Sequence, residues 1–266
     1  MKSSLFLIMF LACSGLGAHA ATLKYFYDFN QLDGSLASLN NNNLAGPDAG
    51  SATFSGGGWI NYTDGYEGLG YDSRTDGGQL ILGSASNGLG LNTTEGFSLS
   101  MNIKDFSPGN GQSSALYANL LTLTPASGQN LYLQKDSGDT SSAGQWTTYC
   151  KTGGTGGHVG NWGYFTPAKD SFSNIILTFR NGNLHVYQDG NLKITASGVN
   201  FTGDVQSLRL ASGNTTMDDL QLYAGVLNDS EIAALAANPA LPVPESATAT
   251  LSLLGLASLC MRRRRA

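Results

Sequence analysis

Three alternating runs joined by two Xaa-Gly dipeptides constrain this chain more than any other feature. Ser173-Asn174-Ile175-Ile176-Leu177-Thr178-Phe179-Arg180 leads into Asn181-Gly182. Asn183-Leu184-His185-Val186-Tyr187-Gln188 leads into Asp189-Gly190, and Leu192-Lys193-Ile194-Thr195 closes the series. A two-residue hairpin needs backbone with φ > 0, which Asn-Gly and Asp-Gly supply at little steric cost. The segment therefore predicts a three-strand antiparallel meander.

Comparable runs recur along the chain. Leu23 to Phe29, Gln79 to Leu82, Phe97 to Ile103, Gln145 to Cys150, Gln206 to Ala211 and Met217 to Tyr223 read as strands. Leu116 to Leu123 and Gln129 to Gln134 pair across a turn expected at Pro125-Ala126-Ser127-Gly128. Met217, Leu220 and Leu222 alternate with polar residues and are expected to face the core. Only Asn228 to Ala237 reads as a helix. Asn228 is an N-cap, Glu231 three residues on completes a capping box, and Asn238-Pro239 ends it. Ile232 and Leu235 share one face and are expected to dock on a sheet edge. Many short strands, one terminal helix and no helical crossovers predict an all-β, two-sheet antiparallel sandwich.

Both ends read as processing signals. Lys2, the apolar Leu5–Leu11 and the small-x-small site Ala18-His19-Ala20 form a secretory signal peptide, with cleavage expected after Ala20. At the other end stand Pro244-Glu245-Ser246, an apolar run from Ala247 to Met261, and Arg262, Arg263, Arg264 and Arg265. The apolar run is about 15 residues, short of the roughly 20 that span a hydrocarbon core comfortably. The arginines favour the cytoplasmic side of the inner membrane. This tail resembles the PEP-CTERM sorting signal of Gram-negative bacteria, although Ser246 stands where the family has a second proline. The resemblance implies an exosortase-type processing enzyme as partner; the alternative is a plain anchor that is never cleaved. The expected layout is residues 1–20 as signal peptide, 21–241 as one exported domain, and 242–266 as sorting and anchoring tail with Pro244, Glu245 and the four arginines as the signal. The protein is expected in the periplasm, at the cell surface or outside the cell, at least transiently membrane-anchored.

Removing the ends changes the charge. The whole chain carries 14 basic and 19 acidic residues. Lys2 and the terminal arginines take five of the basic residues and Glu245 one of the acidic ones, so residues 21–241 hold nine against eighteen. Such an acidic domain excludes nucleic acid as an expected partner, because phosphate binding needs a basic footprint. Cys150 is the one cysteine of the domain, so no internal disulfide forms and stability must come from the core. Cys150 is expected to be a buried small apolar residue.

The second half resembles the laminin G-like, concanavalin A-like jelly-roll family. The similarity rests on Leu177 to Gly190, on Asp218-Asp219-Leu220-Gln221-Leu222-Tyr223, and on the Leu227, Glu231-Ile232 and Leu235 that follow. An opening aromatic strand ending in Asp28-Phe29 also fits. The resemblance implies a jelly roll and a structural Ca²⁺ held by Asp28 with Asp218 or Asp219, since Ca²⁺ takes carboxylate and carbonyl oxygens. The competing reading is that one of these carboxylates caps a turn and the other is solvated.

Catalytic patterns are weak. Jelly-roll glycosidases carry a Glu-x-Asp-x-Glu strand, which is absent here, and no Gly-x-Ser-x-Gly elbow precedes a helix. Glu67 or Glu95 with Asp72 has no supporting spacing for the two carboxylates of glycoside hydrolysis. The chain is therefore expected not to be an enzyme. Aromatic faces flanked by amides suit sugars. Trp146, Tyr149, Trp162 and Tyr164 flank a loop with His158 and Asn161, and these six are the candidate ligand-binding residues. Trp59, Tyr62 and Tyr66 form a second aromatic cluster. The expected function is non-catalytic binding of glycan or exopolysaccharide, or adhesion. A structural envelope protein and a divergent polysaccharide-cleaving enzyme are the alternatives.

Overall fold

A computed structural model describes residues 21–30, 38–39, 52–55, 59–61, 65–72, 79–83, 88–105, 117–136, 145–151, 163–167, 170–210 and 215–243. Residues 1–20, expected as a signal peptide, and the expected tail from residue 244 onward, with all six residues expected to form the sorting signal, lie outside them.

The described strands are β1 (Thr22–Tyr27), β2 (Ser38–Leu39), β3 (Ala52–Ser55), β4 (Trp59–Asn61), β5 (Gly70–Asp72), β6 (Gln79–Gly83), β7 (Phe97–Asp105), β8 (Tyr117–Gly128), β9 (Asn130–Asp136), β10 (Trp146–Lys151), β11 (Tyr164–Phe165), β12 (Phe172–Arg180), β13 (Asn183–Gln188), β14 (Asn191–Ala196), β15 (Phe201–Leu210) and β16 (Thr215–Ala224). Helix α1 (Asp229–Ala237) follows. The first sheet runs β14-β13-β12-β7-β16-β5-β4, with β1 also paired to β16. The second runs β11-β10-β9-β8-β15-β6-β3-β2. All pairings are antiparallel, and the chain is a jelly-roll sandwich.

The two sheets share one core. Leu99, Met101, Ile103, Ile175 and Leu177 of the first meet Leu121, Leu123, Leu131, Leu208 and Leu210 of the second. Phe97 and Phe179 from the first sheet pack on Phe201 from the second, with centroids 5.9 and 5.3 Å away. The meander forms as its turn residues require. Asn181 and Gly182 sit at φ 48° and 75°, Asp189 and Gly190 at φ 50° and 75°. Two consecutive positive φ values give the turn whose twist matches the strands.

Two local expectations are corrected. The β8–β9 hairpin does not turn at Pro125–Gly128. Pairing with β9 stops at Leu123↔Leu131, and β8 continues alongside β15, where Pro125 faces Val205. The register is irregular on both sides of Val205, a place where a residue without an N–H fits a sheet. Ile232 and Leu235 dock on the outer face of the first sheet, not on an edge. There they join Ala21, Ile176, Tyr223, Leu227 and Val243 in a second apolar cluster.

The cap of α1 is as read. Asn228 Oδ1 accepts from the N–H of Ser230 (3.0 Å) and Glu231 (3.1 Å), and Glu231 Oε2 accepts from Asn228 N–H (2.8 Å). The packed chain runs on to buried Val243, whose N–H donates to Tyr223 Oη (3.3 Å). Asn228→Ala is expected to lower unfolding free energy by about 1 kcal/mol, read from urea denaturation. Asn228→Ser should recover most of that loss. An Ala variant as stable as the parent would show that packing alone holds the helix.

Candidate functional site

β16 carries one extra residue against β7. Asp218 faces Asn102, while Gln221, three residues on, faces Ser100. Asp219 takes φ 50° at this bulge, a conformation Asp tolerates better than most L-residues. Both carboxylates are buried, at 0% and 2% exposure.

Their roles differ. Asp218 Oδ2 accepts from the N–H of Tyr66 (2.6 Å) and Glu67 (3.3 Å), and its Oδ1 accepts from Asp219 N–H (2.8 Å). It therefore pins the β4–β5 loop to the bulge. Asp219 Oδ2 accepts from Asn102 Nδ2 (2.9 Å). Asn174 Nδ2 continues the chain to Asn102 Oδ1 (3.3 Å) and Ser100 Oγ (3.1 Å). The turn-capping half of the sequence reading thus describes Asp218, but Asp219 is buried rather than solvated.

The end of β1 closes the third side. Phe29 sits at φ 54° and stacks on Tyr71 at 6.2 Å. Asp28 Oδ1 accepts from Asn30 N–H (3.1 Å). Asn30 Nδ2 donates to Glu67 O (3.1 Å), and its Oδ1 accepts from Leu69 N–H (2.7 Å). Gly68 is required here: it has φ 91°, and a Cβ would lie 2.3 Å from Asn30 Oδ1. Two L-residues with left-handed backbone, Phe29 and Asp219, thus meet in one node. Such strain persists only where its surroundings hold it.

The node is strongly acidic. Burial, then the neighbouring Asp219 charge, push the Asp218 pKa up to about 8 against the pull of its three N–H donors. Burial pushes Asp219 up to about 7, with Glu67 and Asp28 adding to the rise and the Asn102 bond opposing it. Among the described residues no Lys or Arg pairs with either. An all-oxygen, charge-rich set suits Ca²⁺ in kind. Asp218 is committed to three N–H groups, which leaves Asp28, Glu67 and Asp219 as the available carboxylates. Among the described residues no three acidic side chains are already gathered at metal-holding distance.

Above the node lies an aromatic. Tyr66 is 41% exposed, and its ring meets Phe172 edge-on at 5.8 Å. Lys104 Nζ sits 5.8 Å from the Phe172 centroid. Sequence reasoning treated Tyr66 as one of a loose cluster and missed the structural roles of Asn30 and Glu67. The Asx spacing from Asp28 to Asn30 was the available signal.

The aromatic candidates around 146–164 fare differently. Trp146 is corrected: it is fully buried, packs on Phe165 at 5.9 Å and donates Nε1–H to Asp105 Oδ2 (3.3 Å). Its indole bridges the two sheets and cannot touch a glycan. Tyr164 is 42% exposed on β11. Tyr149 pairs with Tyr132 in the β9–β10 ladder. His158, Asn161 and Trp162 lie outside the described residues, as does Tyr62. Cys150 is buried as expected, and burial pushes its thiol up to about 12, so it stays protonated.

Both node carboxylates titrate higher in the folded chain than the ordinary value of 3.8. The folded state then binds more protons than the unfolded one between about pH 4 and 8, so stability is full below that window and falls as pH rises through it. Melting temperature in chelator is expected to drop from pH 5 to pH 8. Asp219→Asn, which keeps an oxygen for Asn102, should flatten that slope. A slope unchanged in the variant would place its origin elsewhere.

No protein-family model and no curated protein sequence matches the chain. Solved structures of similar fold do. Domain 4 of AbnA, a GH43 extracellular arabinanase from Geobacillus stearothermophilus, solved with arabinotriose, is 17% identical, with a TM-score of 0.58; the match covers 82% of this chain and 99% of that one. The botulinum neurotoxin serotype D binding domain is 13% identical, with a TM-score of 0.56 over 81% of this chain and 51% of that one. The serotype G binding domain is 12% identical, with a TM-score of 0.52 over 83% and 51%. This chain thus spans about half the length of the two neurotoxin domains. At these identities the likeness establishes a shared β-sandwich fold.

Proposed function

We propose that this chain is an exported, surface-associated, non-catalytic carbohydrate-binding or adhesion protein. It is delivered by the signal peptide and sorted or anchored through the tail, on which an exosortase-type enzyme acts at Pro244-Glu245. The laminin G-like resemblance is part of this reading. The observation that carries it is the exposed Tyr66 ring on a loop pinned by Asp218, beside Glu67 and Asn30. A flat aromatic face takes the apolar side of a sugar ring, and adjacent carboxylates and amides take its hydroxyls. The arabinanase domain in complex with arabinotriose offers a precedent for a sandwich of this kind with a glycan ligand.

A polysaccharide-cleaving role asks for a protonated and an ionised carboxylate that both reach substrate. The two carboxylates with raised pKa are buried, and Asp218 is spent on backbone N–H groups. That geometry favours binding over cleavage. Ca²⁺ is proposed as a structural ion between Asp28, Glu67 and Asp219, where it would offset the crowded negative charge.

The test is a glycan-array and polysaccharide-binding screen of the purified full chain, with calcium and with chelator. Selective binding is expected, weakened roughly threefold to tenfold by Tyr66→Ala. Calcium should raise the melting temperature of the parent and not of Asp219→Asn. Absence of binding in either condition would move the reading to a structural envelope protein without a small ligand. An unchanged Tyr66→Ala profile would move the glycan site away from this loop.

A further inference from the structure

A second site lies on the outer face of the first sheet, where β12 and β13 approach their hairpin. An open cavity of about 350 Å³ is lined there by Thr178, Arg180, Asn181, Asn183, His185 and Val226. Its size falls at the small end of the roughly 300–1,000 Å³ of ligand pockets.

The frame of this cavity is fixed by hydrogen bonds. Ser98, opposite Thr178 in the ladder, accepts Leu227 N–H at its Oγ (2.9 Å) and donates to Gly225 O (3.1 Å). Gly225 N–H donates to Gly96 O (2.8 Å), so the segment carrying Val226 is tied to β7. Asn181 N–H donates to Thr93 O (2.9 Å), which holds the hairpin tip. Asn183 Nδ2 reaches Arg180 O (3.4 Å) and Asn181 O (3.3 Å), which orients that amide. The floor is Thr178, only 2% exposed, with its hydroxyl among the groups that line the cavity. Arg180 is exposed at the rim, and its guanidinium forms no ion pair with a carboxylate among the described residues.

This donor set is selective. In a domain with nine basic and eighteen acidic residues, an arginine without a carboxylate partner stands beside a histidine in a preformed cavity. Guanidinium binds carboxylate through paired N–H donors. The Thr178 hydroxyl and Asn183 Oδ1 are suited to sugar hydroxyls, and Val226 offers an apolar wall for ring C–H groups. An inorganic anion would have no use for the acceptor or for the wall. We propose that this cleft binds a carboxylate-bearing sugar unit, with Arg180 holding the carboxylate and Thr178 and Asn183 holding ring hydroxyls. The proposal deepens the carbohydrate-binding reading and rests on it, at a place distinct from the Tyr66 loop.

The test titrates the full chain by calorimetry with oligogalacturonate, sialyllactose, a neutral galactan oligomer of matched length, and polyglutamate. Binding of at least one acidic sugar over the neutral oligomer is expected, and which one binds identifies the source of the carboxylate. Arg180→Gln should weaken that binding about tenfold to a hundredfold, as loss of a charge-assisted hydrogen bond does. Thr178→Val, nearly isosteric, should weaken it severalfold with the melting temperature retained. Equal binding of polyglutamate, or acidic-sugar binding untouched in both variants, would overturn the cleft. Neutral-glycan binding that depends on Tyr66 but shows no acidic preference would overturn the cleft and leave the carbohydrate-binding reading standing. No binding of any saccharide would overturn both.

Discussion

The bulge at Asp219 is the constraint on which the rest of the molecule depends. β16 is buried on both faces, with β7 on one side and β1 and β5 on the other. Met217, Leu220 and Leu222 face the inter-sheet core, while Asp218, Gln221 and Tyr223 lie on the outer side. Without the extra residue, the alternation would reverse partway along the strand and turn leucines outward. The left-handed Asp219 absorbs that mismatch. It keeps the apolar face continuous and delivers two carboxylates into a buried position.

Burying the polar outer face creates demands that the C-terminal segment meets. Gln221 Nε2 donates to Pro239 O (2.8 Å), Tyr223 Oη donates to Gln221 Oε1, and Val243 N–H donates to Tyr223 Oη. Each of these groups would otherwise lose water without compensation. The same logic governs the acidic node, where backbone N–H groups and Asn102 stand in for solvent. Those donors oppose, but do not cancel, the effect of burial and like charge. Protonation of either carboxylate relieves that repulsion.

Much of the fold was legible because its signals are local. Asn181-Gly182, Asp189-Gly190 and the Asn228–Glu231 box specify turns and a helix start within a few residues, and all three are present. The short β2, β3, β4, β5 and β11 were missed, since two to four residues give no usable alternation. The Pro125 turn was misplaced because β15, some eighty residues away, supplies an irregular partner that tolerates proline. For the site, Asp28, Asp218 and Asp219 were named from the sequence. Trp146 looked like a ligand platform, yet its indole serves the core. A tryptophan's chemistry is the same in either setting, and only its neighbours decide the role.

The sequence by itself determined the all-β class, the hairpins, the helix cap and the acidic charge of the domain, because turn chemistry, alternation and composition act over short distances. Tertiary structure alone decided which carboxylate caps a loop, which is sealed from water, and which aromatics stay exposed. It also decided that Thr178, Arg180 and Asn183 line one cavity with Val226, about forty residues further on. These outcomes depend on burial and on contacts between distant segments. Pair distances and desolvation, not residue identity, set the chemistry of a carboxylate or a guanidinium.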